Sequence, residues 1–124
     1  MAGSSADKQQ QSPVDFAQLE QLARDTDPEM VPQLLAVFLE DAYHRVELIA
    51  GAIAADDYPV ITAETHALGS SAATFGLPGI FNLARACEQA LRESDHAAGR
   101  ELAEALVIES TPTLDALSRY AREL

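Results

Sequence analysis

Tyr58-Pro59-Val60-Ile61-Thr62-Ala63-Glu64-Thr65-His66-Ala67-Leu68-Gly69-Ser70-Ser71-Ala72-Ala73-Thr74-Phe75, closed by Gly76, is the stretch whose periodicity decides the architecture. At about 100° per residue, Ile61, Thr65, Leu68, Ala72 and Phe75 share one narrow arc, the mark of a helix with one face on a core. His66 falls about 140° from that arc, which puts its imidazole on the solvent side. Its wheel neighbours Thr62, Gly69, Ser70 and Ala73 are all small. A glycine inside a helix costs roughly 1 kcal/mol relative to Ala, so Gly69 beside Ser70 and Ser71 is poor helix material. Small residues around an exposed ring do leave room for another macromolecule to approach it. On spacing alone, two readings stay open: an ordinary surface histidine, or a ring nitrogen placed to take and give a phosphoryl group.

Working outward, Gly76-Leu77-Pro78-Gly79 is a break, with Gly76 suited to a left-handed helix end. A fourth helix then runs to about Glu93, with Ile80, Leu83, Ala84, Cys87 and Leu91 at helical spacing. A fifth occupies roughly His96 to Arg122, and Pro112 is expected to kink or interrupt it. Upstream, a first short helix is expected from about Pro13 to Ala23, with Phe16, Leu19 and Leu22 along one side. Asp27 before Pro28 reads as a helix start. From there to about Ala55, Val31, Leu35, Phe38, Ala42, Ile49 and Ile53 form one apolar stripe. Pro28 and Pro32 fit near a first turn, where few N–H groups have partners. Asp56-Asp57 ends this helix and caps the next. Short connections between long amphipathic helices imply antiparallel neighbours, and no period-2 strand is visible. The fold class is therefore all-α: an up-and-down bundle over residues 13–124, preceded by a polar, aperiodic and disordered tail over 1–12.

Composition agrees with this and removes several functions. The chain of 124 residues is the size of one domain, 48% hydrophobic and only 6% aromatic, a mixture that favours helices. Twenty Asp and Glu against eight Lys and Arg give a net charge of -12. Such a negative field repels phosphate backbones and anionic lipid, so neither nucleic acid nor membrane is an expected partner. A single cysteine, Cys87, excludes an intramolecular disulfide, and its place on the apolar face reads as a buried thiol. His44, His66 and His96 have no ligand spacing, so no metal site is expected. No Gly-rich phosphate loop is present, and nothing beside Ser70 and Ser71 marks a hydrolase oxyanion site. The absence of a signal peptide or a long apolar run points to a cytoplasmic protein.

His66-Ala67-Leu68-Gly69-Ser70-Ser71-Ala72-Ala73-Thr74-Phe75-Gly76 resembles the signature of histidine phosphotransfer (HPt) domains, H-x-L-K-G-S-x-x-x-x-G. It matches at His66, Leu68, Ser71 and Gly76, and the resemblance runs over about residues 15–122. In local motif it is most similar to the LuxU-type subgroup. The resemblance implies a four-helix bundle with a short additional N-terminal helix and an exposed histidine midway along one helix. It implies a phosphoryl carrier rather than an enzyme, monomeric and without a cofactor of its own. His66 would accept a phosphoryl group from a receiver-domain aspartate of a hybrid sensor histidine kinase and pass it to a response-regulator receiver, where Mg²⁺ is held.

Two positions depart from the pattern: the family's usual Lys three residues after the histidine is Gly69, and its usual Gly is Ser70. The Lys is thought to help neutralise the phosphoryl oxygens, and Arg92 is the expected replacement. Twelve residues beyond the signature Gly, where the family commonly places a Gln or Glu on the active histidine, stands Glu88. A carboxylate there fixes the tautomer and leaves Nε2 as the nucleophile. Glu88 and Arg92 are also spaced as a simple i,i+4 ion pair. By the same resemblance the docking surface includes Met30 and Leu34 on the second helix, with Ala67, Gly69, Ser70 and Ala73 around the histidine.

Overall fold

The computed structural model describes residues 13–124; the segment 1–12, expected to be disordered, lies outside them. Among the described residues the regular elements are all helical: α1 (Phe16–Asp25), a 3₁₀ turn (Pro28–Met30), α2 (Val31–Ala54), α3 (Tyr58–Thr74), α4 (Pro78–Arg92) and α5 (His96–Arg122). The expected all-α class holds. None of these helices is long and apolar enough to cross a membrane.

Aspartates start most of these helices. Asp15, Asp57 and Asp95 each accept a hydrogen bond from a first-turn amide, of Gln18, Val60 and Ala98 respectively. These bonds satisfy amides that have no partner inside the helix. Asp15 also explains why α1 begins at Phe16 rather than Pro13. Asp27 caps the 3₁₀ turn through the Glu29 amide. The second helix was expected to run unbroken from Pro28, but Pro32 has no N–H to give the Pro28 carbonyl. The Val31 amide takes that carbonyl instead, which tightens the turn to 3₁₀ before α2 begins.

Of the kink or interruption expected at Pro112, the interruption does not occur, since α5 is one helix through it. Proline there removes the bond to the Ile108 carbonyl. The carbonyl it deprives belongs to Ile108, 76% exposed, on the outer side of the helix, where losing a backbone partner costs least.

Helices α2 to α5 stand antiparallel in a ring, each packed on its sequence neighbours, with α5 closing back onto α2. Leu35, Phe38, Ile49, Ile61, Leu68, Ile80, Leu106, Leu114 and Leu117 fill the centre. Phe38 of α2 stacks on Phe75 with centroids 4.4 Å apart, and Arg45 of α2 reaches Glu64 of α3 at 2.7 Å. These two pairs fix the antiparallel register of α2 against α3. Helix α1 lies across one end, where the Asp15 amide donates to the Gly76 carbonyl at 2.7 Å and Phe16 meets Tyr120. Gly76 has φ +74, and a Cβ there would sit 2.8 Å from the Asp15 carbonyl oxygen.

Gly76→Ala is therefore expected to destabilise the protein by about 1–2 kcal/mol, the cost of a left-handed non-glycine residue, readable as a lower urea midpoint. The loss should be accompanied by faster hydrogen exchange at the Asp15 amide, as α1 loosens from the bundle. A second expectation concerns alkaline pH. Burial and the 2.5 Å hydrogen bond to Asp115 push the Tyr43 hydroxyl up to about 12. Because the folded value lies above the unfolded one of 10.0, the unfolded chain ionises first and stability falls as pH rises from about 10 to 12. Tyr43→Phe should flatten that part of a stability-versus-pH curve.

Candidate functional site

His66 occupies the outer face of α3 near its middle, with 62% of its side chain exposed. Core-facing Thr65 and Leu68 on either side of it are fully buried, so the helical period read from the sequence turns the ring outward as expected. The neighbouring surface is low, with Ser70 and Ala73 exposed and Ala67 half-buried.

Against this ring, α4 sets a carboxylate. Glu88 Oε1 lies 2.6 Å from His66 Nδ1, and Oε2 accepts from Arg85 Nη1 at 2.7 Å. The Glu88 side chain is only 8% exposed. A carboxylate removed from water requires compensating donors, and here each oxygen has one. An ionised carboxylate only accepts, so Nδ1 must carry the hydrogen. That leaves Nε2 with its lone pair on the open side of the ring. Arg85 Nη1 also comes within 3.3 Å of Nδ1. Since Nδ1–H is already donating to Glu88, this approach is a contact rather than a second hydrogen bond. The guanidinium is steadied from below by the Phe81 ring, 5.1 Å from its centroid.

The expected pairing of Glu88 with His66 is thus present in the geometry, and the expected role of Arg92 is not. Arg92 turns back along its own helix to Gln89 Oε1 at 3.0 Å. The cation at the ring is Arg85, which the i,i+4 reading of α4 passed over. Arg85 stands three residues before Glu88 and shares its face, so the signal was there, but helix arithmetic alone favours neither neighbour. Register decides it. Gly69 of α3 sits on Ala84 of α4, while His66 sits on Glu88. Moving from His66 towards Phe75 therefore means moving backwards along α4, towards Arg85 and away from Arg92.

Gly69 itself is corrected. It was placed among the docking residues around His66, yet it is buried in the α3–α4 contact, and a Cβ there would lie 2.8 Å from the Ala84 Cβ. Its small size serves helix packing. Of the other docking residues, Met30 is 43% exposed and Leu34 half-buried. Since Phe38 packs on Phe75, Leu34 and Met30 lie beyond the C-terminal end of α3, roughly 20 Å or more along the bundle from His66 at about 1.5 Å per residue. A partner would reach both only by covering the Ser70–Ala73 stretch between them. Cys87 is a core thiol as expected, pushed up in pKa mainly by burial and donating to the Gly99 carbonyl.

An exposed imidazole oriented by a buried carboxylate in the middle of an antiparallel bundle matches a known class. The Hpt domain family model covers residues 33–121, and the chain belongs to the histidine phosphotransfer (Hpt) domain family. The match is to the family as a whole and carries no subtype. Searches of curated proteins and of solved structures gave no match.

With Gly69 enclosed, Gly69→Lys should not supply a surface cation. It should destabilise the bundle by about 1–3 kcal/mol, as overpacking does, and lower the midpoint of a thermal melt followed by circular dichroism.

Proposed function

We propose that His66 is the phosphoryl carrier of a two-component phosphorelay, loaded by the receiver domain of a hybrid sensor histidine kinase and discharged onto the receiver of a response regulator. Membership of the family supports histidine phosphotransfer in general. The observation that supports His66 as its site is the 2.6 Å contact of Glu88 with Nδ1 of an otherwise exposed ring. The Nε2 lone pair attacks the phosphorus of the aspartyl phosphate. The bond from phosphorus to the carboxyl oxygen breaks, and the aspartate leaves as a carboxylate. Nδ1–H stays on Glu88 throughout, so Glu88 orients the ring and holds the tautomer while the ring gains charge. The return step is the same displacement reversed onto the second receiver.

On this reading the chain brings no nucleotide and no metal. Mg²⁺ belongs to the receiver, and the low surface of Ala67, Ser70 and Ala73 lets that domain's carboxylate come close. Met30 and Leu34 form the far end of the same footprint. The family's missing Lys does not leave the site without a cation, because Gly69 is occupied with packing and Arg85 stands at the ring.

The test is to incubate the purified protein with a phosphorylated receiver domain. An acid-labile, alkali-stable label on the wild type and none on His66→Gln is expected. Label on both variants would move the carrier elsewhere. Glu88→Ala should keep its helical spectrum and slow transfer about tenfold, the scale of one hydrogen bond to a charged group; unchanged kinetics would remove Glu88 from the mechanism.

A further inference from the structure

Resting on His66 as the phosphoryl carrier, we infer that Arg85 is the residue that binds the phosphoryl group, keeping Nη1 on Glu88 and taking the place of a lysine on α3. Three observations carry this. The α3 position one turn beyond His66 is closed, because any side chain at Gly69 meets Ala84. Arg85 starts from the same level on the facing helix, next to Ala84, and its guanidinium already reaches the ring at 3.3 Å. Both of its polar contacts among the described residues are made through Nη1, to Glu88 and to the ring. A guanidinium has five N–H donors, so Nε and Nη2 remain for a ligand, on a side chain that is 40% exposed.

The other cations nearby are committed elsewhere. Arg45 binds Asp41 and Glu64, Arg92 binds Gln89, and Arg100 binds Asp56 and Glu104. Need follows from charge. A phosphoryl group brings roughly -1.5 to -2 charges at neutral pH to a ring that already touches a buried carboxylate, in a chain of net charge -12. Arg85 is the one cation among the described residues in contact with that ring. Paired donors from a planar guanidinium suit phosphoryl oxygens well. Holding those oxygens stabilises the phosphorylated state against the loose, metaphosphate-like path by which it is lost to water.

The experiment loads His66 with phosphoramidate. The Nε2 lone pair forms the new bond to phosphorus as the P–N bond of the reagent breaks and ammonia leaves. The reagent is then removed and the decay of phosphohistidine followed by ³¹P NMR. Arg85→Ala should shorten the half-life about tenfold, the order of one charge-assisted hydrogen bond, with Arg85→Lys in between and Arg92→Ala like the wild type. Circular dichroism checks that each variant is folded.

The decisive comparison is in a Glu88→Gln background. If Arg85 acts on the phosphoryl group, adding Arg85→Ala there still shortens the half-life; if it only steadies the carboxylate, it adds nothing, and the inference falls. An Arg85→Ala half-life equal to the wild type's in the parent background also overturns it, while leaving His66 as carrier. No phosphohistidine on the wild type, from either phosphoramidate or a receiver, would instead remove the carrier reading and this inference with it.

Discussion

The site depends on the close approach of α3 and α4 at Gly69 and Ala84. Two small residues facing each other let the helix backbones come together, and everything above that level follows. Glu88, one turn along α4, is brought within hydrogen-bond reach of His66 while remaining under the surface. A larger residue at either position would separate the helices and withdraw the carboxylate from the ring. The glycine that is poor helix material in isolation is therefore the residue that assembles the site, because packing outweighs intrinsic propensity.

Burial of Glu88 then sets the local chemistry. A carboxylate in the open would be satisfied by water and would hold no particular geometry. Enclosed as it is, it depends on two protein donors, the His66 ring and Arg85, the one cation among the described residues in contact with that ring. His66 is thereby fixed in one tautomer with the lone pair of Nε2 outward, and Arg85 lies at the edge of the ring. The bundle contributes rigidity on three sides, and the fourth is left bare by Ser70 and Ala73. Exposure and order, which usually oppose each other on a surface, are combined because the ordering groups lie beneath the ring.

Much of this could be read before any coordinates. The helices, their aspartate caps and the turn at Gly76 are local features, set by residue type and spacing. The outward position of His66 is also local, since it requires only the period of one helix. The partnership of Glu88 with His66 was reached through resemblance to a family and agrees with the structure. Pro32 and Pro112 were harder, because the consequence of a proline depends on whether the carbonyl it deprives can find water or another amide. At Pro32 the deprived carbonyl took the preceding amide, that of Val31, and the helix tightened; at Pro112 the deprived carbonyl belongs to an exposed residue and the helix runs on.

What the sequence determined by itself is the set of helices and the face each presents, because a helix fixes the direction of every side chain relative to its neighbours within a few turns. What only the tertiary structure decided is register, the level at which one helix meets the next. Arg85, three residues before Glu88, and Arg92, four after it, flank it on the same side of α4, and helical spacing prefers neither. The antiparallel alignment of Gly69 with Ala84 breaks that equivalence. Whether Gly69 faced solvent or a neighbouring backbone was likewise beyond the reach of a single helix, since it depends on where the second helix lies.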